Sequence, residues 1–508
     1  MKLIGIDVGT SGTRVLLVDA AGKVLGSTVR NHLPFRSPQP GWAEQDPEDW
    51  WQAAVHAIPA LLKATSTAPE EIAAVGLSGQ MHGAVLLDAA GRVLRPALIW
   101  CDQRTADEAA WLTALLGSER LIQLTSNPAL TNFTLTKLLW VRSHEPAIWQ
   151  NFRSFLLPKD YVRFRLTGEK AMDVADASGT LLLDVAHRRW SAEMLAAVDM
   201  PASILPRLYE CHEIVGTVTA EAASLTGLRA GTPVVAGAGD QAAGALGMGI
   251  VRPGDVSATI GTSGVVFAAT NRPFLDPHGR LHTFCHAVPG RWHIMGVTQA
   301  AGLSLRWFRD TFAGTASDDA YTRLAESAAA VPAGADGLLW APYLMGERTP
   351  HLDPEARGAL IGLTASHRSP HIVRAIMEGV AFSLKDTLSI FAELGVPVRA
   401  IRLGGGGARS PLWRQIQADA YAQSVEIVAA EEGAAYGAAL LAGVGAGVWP
   451  SADAACDAVI QVAGRIAPQP ADSATLQYLY GLYRDLYPSL KPIFHGLHAA
   501  NTKVKTNA

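Results

Sequence analysis

The chain has 508 residues, of which 49% are hydrophobic and 17% are charged. This length corresponds to about three ordinary domains or two large ones, and the composition excludes an intrinsically disordered protein. Lys and Arg number 42 against 46 Asp and Glu, so the net charge of −4 lacks the basic excess typical of nucleic-acid binding.

The cysteine pattern and the hydropathy pattern together indicate the cellular setting. The four cysteines lie far apart, without a Cys-x-x-Cys pair, which favours a reducing compartment. Charged residues interrupt the apolar start of the chain, so we expect no signal peptide. Segment 433–452 is uncharged but rich in glycine, which predicts a buried helix and not a membrane span. We expect a cytoplasmic protein without membrane or nucleic-acid partners, and a homodimer is compatible with the sequence.

Predicted strands and helices alternate along the first half of the chain. Strands are expected at 3–7 and 15–19, joined by the tight turn Gly-Thr-Ser-Gly at 9–12. A helix is predicted over 47–63, with Asp46 as its N-cap and proline at its first position. Further strands are predicted at 72–78 and 84–88.

The second half continues this alternation and then becomes mostly helical. Strands are predicted at 233–237, 255–260, 265–269 and 401–404, and a small-residue helix follows Asp240. Residues 499–508 are small and polar and are predicted to form a frayed tail.

An internal repeat is the most informative feature of the sequence. The turn at 9–12 recurs as Gly-Thr-Ser-Gly at 261–264, and in both places an apolar strand enters the turn and another leaves it. One such turn is common, because glycine, serine and threonine are ordinary turn residues. Two of them in matching contexts, half a chain apart, predict two related domains.

The repeated turn has the chemistry of a phosphate site. Its backbone N–H groups and hydroxyls can surround an anion, since glycine lets the backbone come close. Asp7 precedes the first turn, and a carboxylate beside phosphates makes sense mainly with Mg²⁺ between them. The alternative is a surface hairpin in which Asp7 caps the turn.

Other nucleotide motifs are absent from the sequence or weak. No Gly-x-x-x-x-Gly-Lys-Ser/Thr occurs, and no Gly-x-Gly-x-x-Gly opens a helix near the first strand. The four glycines at 404–407 follow a strand and precede the helical stretch 412–423, so adenine or ribose could lie against them. The alternative is a simple helix-entry loop.

Asp240 stands at a predicted strand-to-helix junction, between glycine-rich segments. It is either an N-cap or a general base that accepts a hydroxyl proton during phosphoryl transfer. His282, Cys285, His286 and His293 resemble a zinc site superficially, but no second ligand pair lies nearby, so buried, hydrogen-bonded histidines are the better interpretation.

Several segments resemble the FGGY carbohydrate kinases, a family within the actin-like ATPase superfamily. The similarity covers roughly residues 1–490, and its motifs stand at 6–12, 41–47, 79–83, 133–145, 157–161, 346–351, 358–363 and 371–378. Glycerol kinases carry Arg-Glu where this chain has Met81 and His82, and the segments are most similar to members that phosphorylate xylulose.

The resemblance implies an α/β fold of two ribonuclease-H-like domains with a cleft between them. Residues 1–248 would form the sugar-binding domain, residues 249–492 the nucleotide-binding domain and residues 493–508 a polar tail. Asp240 would be the base and Asp7 the metal ligand, with ATP and Mg²⁺ as the nucleotide and cofactor. The sugar would contact Met81, His82, Trp100, Asp240 and Gln241. Phosphates and nucleoside would contact Thr10, Ser11, Thr262, Gly302, Gly405, Gly406 and Ser410.

The expected reaction is ATP-dependent phosphorylation of D-xylulose at its terminal hydroxyl. One alternative is another kinase of the same family, acting on ribulose, fuculose, gluconate, glycerol or a related ketose. A different class of protein, a nucleotide-dependent chaperone or filament protein of actin-like fold, would need no base in its cleft. The sharp discriminator is whether a ketose stimulates ATP turnover.

Overall fold

A computed structural model describes residues 1–314, 319–429 and 433–506, and the side chains of residues 501–506 lie outside that description. Its first half contains fifteen strands and ten helices. The strands are β1 (Lys2–Val8), β2 (Gly12–Asp19), β3 (Val24–Asn31), β4 (Glu44–Gln45), β5 (Ile72–Gly79), β6 (Val85–Leu87), β7 (Ala97–Leu98), β8 (Ser154–Leu156), β9 (Ala171–Asp173), β10 (Leu183–Asp184), β11 (Arg189–Trp190), β12 (Arg207–Tyr209), β13 (Ile214–Thr217), β14 (Pro233–Val235) and β15 (Ala238–Gly239). The helices are α1 (Pro47–Ala64), α2 (Ala106–Leu116), α3 (Ser118–Thr125), α4 (Thr134–His144), α5 (Pro146–Asn151), α6 (Pro158–Thr167), α7 (Val174–Ala177), α8 (Ala192–Ala197), α9 (Ala220–Thr226) and α10 (Asp240–Gly247).

The described part of the second half adds nine strands and seven helices. The strands are β16 (Asp255–Ile260), β17 (Gly264–Thr270), β18 (His282–Cys285), β19 (Trp292–Thr298), β20 (Leu339–Ala341), β21 (Ala359–Ile361), β22 (Ala400–Gly404), β23 (Val425–Val428) and β24 (Val462–Ile466). The helices are α11 (Gly302–Phe308), α12 (Ala320–Ala329), α13 (Ser369–Glu393), α14 (Pro411–Tyr421), α15 (Gly433–Gly445), α16 (Ala452–Val459) and α17 (Pro470–Thr506).

Two large sheets share one pattern of strand pairing. The first runs β13-β14-β5-β1-β2-β3, and the second runs β18-β19-β17-β16-β22-β23-β24. In each, an antiparallel hairpin (β1–β2 or β16–β17) contains the Gly-Thr-Ser-Gly turn. The first strand of each hairpin then pairs in parallel with a later strand, β5 or β22. This common topology confirms the prediction of two related α/β units.

The apolar pattern explains most predicted elements. Asp46 caps α1 as expected, since its carboxylate accepts a hydrogen bond from the Glu48 backbone N–H at 3.0 Å. The predicted strands differ from the observed ones by a few residues at their ends. The tail prediction was wrong up to Thr506, because α17 continues to that residue, and residues 507–508 lie outside the described range.

Helix α15 belongs to the second half of the chain but packs on the first sheet. It lies against β1, β5 and α10. The contact is close because the facing residues are very small: a Cβ on Gly76 would come within 2.0 Å of the Ala438 carbonyl oxygen, and one on Gly5 within 1.9 Å of the Ala435 oxygen. The glycine-rich segment is therefore the buried helix that its composition predicts. Among the described helices, none is long and apolar enough to cross a membrane.

The two halves also share a core around β18 and β19. Asn127 donates from its amide nitrogen to the Thr283 carbonyl oxygen at 2.8 Å, and the Cys285 backbone N–H donates to the Ser178 hydroxyl at 2.9 Å. The Phe133 and Phe284 rings meet edge to face, with centroids 6.2 Å apart. These contacts join the halves beside the residues described next.

Candidate active site

Two buried glutamines, Gln45 and Gln80, stabilise the first Gly-Thr-Ser-Gly turn. The Gly9 backbone N–H donates to the Gly12 carbonyl oxygen at 3.0 Å and closes the turn. Gln45 donates from Nε2 to the Thr10 carbonyl oxygen at 2.8 Å, and Gln80 donates from Nε2 to Gln45 Oε1 at 2.9 Å. Sequence reasoning missed both roles, although both residues lie within its motif segments. The turn is thereby fixed in shape before any ligand binds.

The side chains of the first turn are accessible from outside. Ser11 is exposed, while the Thr10 hydroxyl accepts a hydrogen bond from Trp100 Nε1 at 2.9 Å. The Trp100 side chain remains 43% exposed. The structure thus places Trp100 beside the first Gly-Thr-Ser-Gly turn, where its ring can form part of a pocket wall.

Asp7 and Asp240 lie at the carboxyl ends of two strands, β1 and β15, that flank β5. In the first sheet Asp7 pairs with Ser78 on β5, and on the other side of β5 Ala238 pairs with the same Ser78. Asp240 follows two residues later, at the first position of α10. Carboxyl ends of parallel strands are where open α/β sheets bind ligands.

The N-cap alternative for Asp240 does not match the structure. Gly239 occupies the cap position, and no side chain caps α10. The Asp240 carboxylate is instead half-buried, next to Gln241, which is also half-buried. It is therefore free for a role other than closing the helix end.

Burial shifts the pKa of both carboxyl groups upward. It raises the pKa of Asp240 to about 7, the negative charge of Asp7 adds to the rise, and hydrogen bonds from Gln241 act against it. Burial also raises the pKa of Asp7, against the Ser78 hydroxyl and the charge of Arg14. The Ser78 hydroxyl donates to Asp7 Oδ1 at 3.1 Å. A poorly solvated carboxylate with this pKa suits proton transfer near neutral pH.

Met81 and His82 project from the turn after β5. His82 has a φ of 67°, and its Nδ1 lies 2.9 Å from the Gly179 carbonyl oxygen. A carbonyl only accepts, so Nδ1 carries the proton and Nε2 is left as an acceptor. Towards a ligand, this imidazole can therefore accept a hydrogen bond at Nε2 but has no second N–H to donate. Burial lowers the pKa of His82 to about 3, so the ring is neutral.

Met81 connects this turn to the backbone just before Asp240. It is only 6% exposed, and a Cβ built on Gly239 would lie 2.9 Å from Met81 Cγ. Gly239 directly precedes Asp240, so the Met81 thioether lies against the backbone that carries the carboxylate. A side chain at position 239 would therefore displace either the Met81 side chain or the backbone that carries Asp240.

A buried lysine supports the same turn and was not assigned a role from the sequence. Lys137 donates from Nζ to the His82 carbonyl oxygen at 3.2 Å and to that of Phe133 at 3.4 Å, and it also bonds the Asn132 carbonyl. Burial lowers its pKa to about 7. The signal that could have found it is its place in the motif 133–145, on helix α4.

A fully buried cluster of charged side chains lies near the turn that carries Met81 and His82. Lys159 Nζ lies 2.6 Å from Asp160 Oδ1, 2.5 Å from Asp173 Oδ2 and 3.1 Å from Asp176 Oδ2. A Cβ built on Gly239 would be 3.1 Å from Asp176 Oδ1, so the cluster borders the strand that leads to Asp240. Buried charges of this kind are paired because an unpaired one is costly.

The second Gly-Thr-Ser-Gly turn is held by the start of α11. Its Gly261 backbone N–H donates to the Ser263 carbonyl oxygen at 2.9 Å. The backbone N–H of Gly302 donates to the Gly261 carbonyl at 2.9 Å, and that of Ala301 to the Thr262 carbonyl at 3.0 Å. Thr262 itself is exposed, so its hydroxyl is accessible to a ligand.

A cavity of about 770 Å³ lies beside this second turn. Four residues with predicted nucleotide contacts line it, Thr262, Gly302, Gly406 and Ser410. Gly405 does not line it and has a different role: its φ is 74°, and a Cβ there would lie 2.6 Å from the Ile260 carbonyl oxygen. The sequence did not single out other lining residues: Arg306, Tyr321, Met377, Arg409 and Trp413.

The Ser410 hydroxyl has a structural partner. It accepts from the Trp413 backbone N–H at 3.3 Å and caps α14. The loop at 404–407 therefore leads into α14, as the helix-entry alternative states, and it also lines the cavity. A nucleotide against this loop stays a prediction.

His282, His286 and His293 are buried, as expected, and the expected hydrogen bonds are seen for the first two. His282 bonds through Nδ1 to Asn127 Oδ1 at 3.1 Å, and His286 through Nε2 to the Ile250 carbonyl at 2.9 Å. Within the described ranges, no group of three or more His, Cys, Asp or Glu side chains could hold a metal ion by itself. A cation at Asp7 would therefore need phosphate or water ligands as well.

These features define a two-unit α/β protein with a Gly-Thr-Ser-Gly turn in each large sheet and a half-buried carboxylate, that of Asp240, near Asp7. Residues 2–247 match the N-terminal domain of the FGGY family of carbohydrate kinases, and residues 256–446 match the C-terminal domain. The chain therefore belongs to this family, which confirms the expected fold and the expected class of enzyme.

Its relatives include named xylulose kinases. The chain is 40% identical to xylulose kinase of Bacillus subtilis (strain 168) over 97% of each chain. It is 44% identical to xylulose kinase of Escherichia coli (strain K12), over 87% of this chain and 90% of the relative. The crystal structure of xylulose kinase from Rhodospirillum rubrum superposes with a TM-score of 0.90 at 36% identity, covering 97% of this chain and 100% of that one.

Proposed function

We propose that this carbohydrate kinase transfers the γ-phosphoryl group of ATP to the terminal hydroxyl of D-xylulose. The products are xylulose 5-phosphate and ADP. The observation that carries the proposal is the Asp240 carboxylate, which lies near Asp7 and has its pKa raised to about 7. The similarity to xylulose kinases over nearly the whole chain supports the choice of sugar.

Asp240 acts as the general base in this proposal. Its carboxylate accepts the proton of the C5 hydroxyl as that oxygen forms a bond to the γ-phosphorus. The bond from phosphorus to the bridging oxygen breaks, and ADP leaves. Such a base contributes about 10² to 10⁴ in rate, and positioning and charge stabilisation supply much of the remainder.

Asp7 fits a magnesium ligand. Its carboxylate is half-buried, and among the described residues a single hydroxyl, that of Ser78, donates to it. When bound, Mg²⁺ supplies positive charge that neutralises the phosphates. The protein's part is to hold Asp7 at a fixed position on β1, between the first turn and Ser78.

The remaining assignments are the residues that would contact the sugar and the nucleotide. The sugar would be bordered by Met81, His82, Trp100 and Gln241. The nucleotide would contact Thr10, Ser11, Thr262, Gly302, Gly406 and Ser410, and Gly405 would shape the loop. Residues 1–248 and 249–492 would act as the two domains whose closure excludes water.

The setting and assembly are part of the same proposal. The four cysteines are unpaired, which suits a cytoplasmic enzyme. A homodimer is testable by light scattering of the eluting peak in size-exclusion chromatography, since a mass near that of one chain would contradict it.

A substrate panel tests the function directly. ADP release is measured with D-xylulose, D-ribulose, L-fuculose, gluconate, glycerol and no sugar. The expected result is the highest kcat/KM for D-xylulose and very little ADP without sugar. A higher value for another sugar would assign that sugar instead, and ATP turnover insensitive to every sugar would favour the chaperone or filament class.

A further inference from the structure

The loop between β20 and β21 carries the motif 346–351, to which the proposed reaction assigns no role. Its backbone is firmly held, since Glu347 and Asp353 exchange two backbone N–H···O=C hydrogen bonds of 2.8 Å each. The backbone N–H of Thr349 donates to the Val297 carbonyl oxygen at 3.0 Å, and the Val297 N–H donates to the Thr349 hydroxyl at 3.1 Å. The loop is therefore fixed against the end of β19.

The Glu347 carboxyl group, whose residue is only 3% exposed, accepts three hydrogen bonds. The Thr298 hydroxyl donates to Oε2 at 2.6 Å. Oε1 accepts from the backbone N–H of Gln299 at 2.9 Å and from that of Arg348 at 2.8 Å. The Ser383 hydroxyl on α13 donates in turn to the Thr298 hydroxyl oxygen at 2.7 Å. A buried carboxyl group needs such partners, and two of the three belong to the end of β19 and the residue after it.

Thr298 and Gln299 connect this carboxyl group directly to the second Gly-Thr-Ser-Gly turn. Thr298 pairs across the β17–β19 ladder with Gly264, the last residue of the turn. The contact is close, because a Cβ built on Gly264 would lie 2.7 Å from Thr298 Cγ2. Two residues after Gln299, a backbone N–H donates to the Thr262 carbonyl oxygen at 3.0 Å. The segment that the carboxyl group holds is therefore the segment that shapes the turn.

The two turns are thus supported by side chains of different chemistry. The first turn is supported by a donor, the Gln45 amide, which bonds the Thr10 carbonyl oxygen at 2.8 Å. The second is supported by an acceptor, the Glu347 carboxyl group, which bonds the residues beside the turn. A turn whose shape is set before a ligand arrives loses less conformational entropy on binding, so such supports raise affinity without touching the ligand.

We propose that Glu347 is a positioning residue for the nucleotide, which holds the second Gly-Thr-Ser-Gly turn, through Thr298 and Gln299, in the shape that receives phosphate. This inference rests on the proposed function, in which the second turn binds the phosphates of ATP. Glu347 itself contacts neither ATP nor the sugar. Its loss should therefore weaken nucleotide binding and spare the sugar site, whose proposed residues all lie in the first half.

The test measures the binding of Mg·ADP and of D-xylulose separately, by calorimetry on the whole enzyme. Glu347→Leu removes both acceptor oxygens and leaves two backbone N–H groups unpaired, so the Kd for Mg·ADP should rise at least about tenfold. The KM for ATP should rise in parallel, while the Kd for xylulose without nucleotide should stay within about twofold of wild type. Glu347→Gln should bring the Kd for Mg·ADP back to within about threefold of wild type, because its Oε1 still accepts from both N–H groups.

Two further variants separate positioning from folding. Thr298→Val keeps a branched side chain against the turn but removes the hydroxyl, so the Kd for Mg·ADP should rise about two- to fivefold. Glu426→Leu is the matched control, since Glu426 is another buried glutamate of the second half and pairs with Arg402 on β22 at 3.2 Å and with Arg465 on β24 at 2.6 Å. This control should lower the free energy of unfolding and leave the Kd for Mg·ADP unchanged.

Three results would overturn the assignment of Glu347. These are a wild-type Kd for Mg·ADP in folded Glu347→Leu, an equal loss of ADP and xylulose binding in that variant, or a Glu347→Gln variant as impaired as Glu347→Leu. If Glu347→Leu does not fold, unchanged Mg·ADP binding in Thr298→Val overturns the assignment instead. A wild-type enzyme that binds Mg·ADP but phosphorylates no ketose would refute the proposed function alone, because the nucleotide measurements do not depend on the sugar. A wild-type enzyme that binds no Mg·ADP would refute both.

Discussion

The raised pKa of Asp240 predicts that sugar phosphorylation falls steeply below neutral pH. That pKa is about 7, and only the ionised carboxylate accepts a proton. For one titrating group, the ionised fraction is about 0.9 at pH ~8 and about 0.1 at pH ~6, so kcat/KM for xylulose should drop about tenfold. An ordinary aspartate, with a pKa of about 3.9, would stay ionised over this whole range.

The assay is direct chromatographic measurement of ADP at constant ionic strength and constant free Mg²⁺. His82 cannot cause the acid limb, because its pKa is lowered to about 3. Lys137, with a pKa lowered to about 7, loses its proton as the pH rises and would therefore act on the alkaline side. Asp240→Asn should lower kcat/KM by about 10² to 10⁴ and give a flat profile. Constant wild-type activity from pH ~8 to ~6, or a limb that persists in Asp240→Asn, would refute the reasoning.

Three other changes have distinct expected outcomes. Asp7→Ala should abolish use of Mg·ATP while calorimetry without nucleotide still detects xylulose; loss of sugar binding in a folded variant would contradict this. His82→Ala should lower kcat/KM for xylulose more than about tenfold, and analogues lacking the contacted hydroxyl should lose much less. Gly76→Ala should lower the free energy of unfolding by at least about 1–3 kcal/mol in denaturant titrations, because its Cβ would meet the Ala438 carbonyl. Gly481→Ala, with open space around it, is the matched control and should be neutral or stabilising.

The sequence predicted those parts of the fold that depend on local pattern. The two turns at 9–12 and 261–264 were recognisable because each repeats a short motif between apolar strands. Asp46 was identifiable as a cap because it precedes a proline at the start of an amphipathic helix. The frayed tail was the local prediction that failed, since α17 extends through residues whose composition alone favours disorder.

The supporting residues of the site could not be predicted in the same way. Gln45 and Gln80 hold the first turn through contacts between residues 35 apart in the chain, and Lys137 bonds a carbonyl 55 residues away. Such partners are set by how the elements pack, which no local pattern records.

Because helix α15 covers the first sheet, the packing of that sheet depends on a segment near the end of the coding sequence. Because this helix covers β1 and β5 and also packs on α10, whose first residue is Asp240, the first half depends on sequence encoded nearly two hundred codons after Asp240. A stop codon before position 433 would leave Gly5 and Gly76 facing water and would remove the helix that packs against α10. The two halves are consequently not independent folding units. During synthesis, the first sheet can complete its packing only after the ribosome has translated residues 433–445.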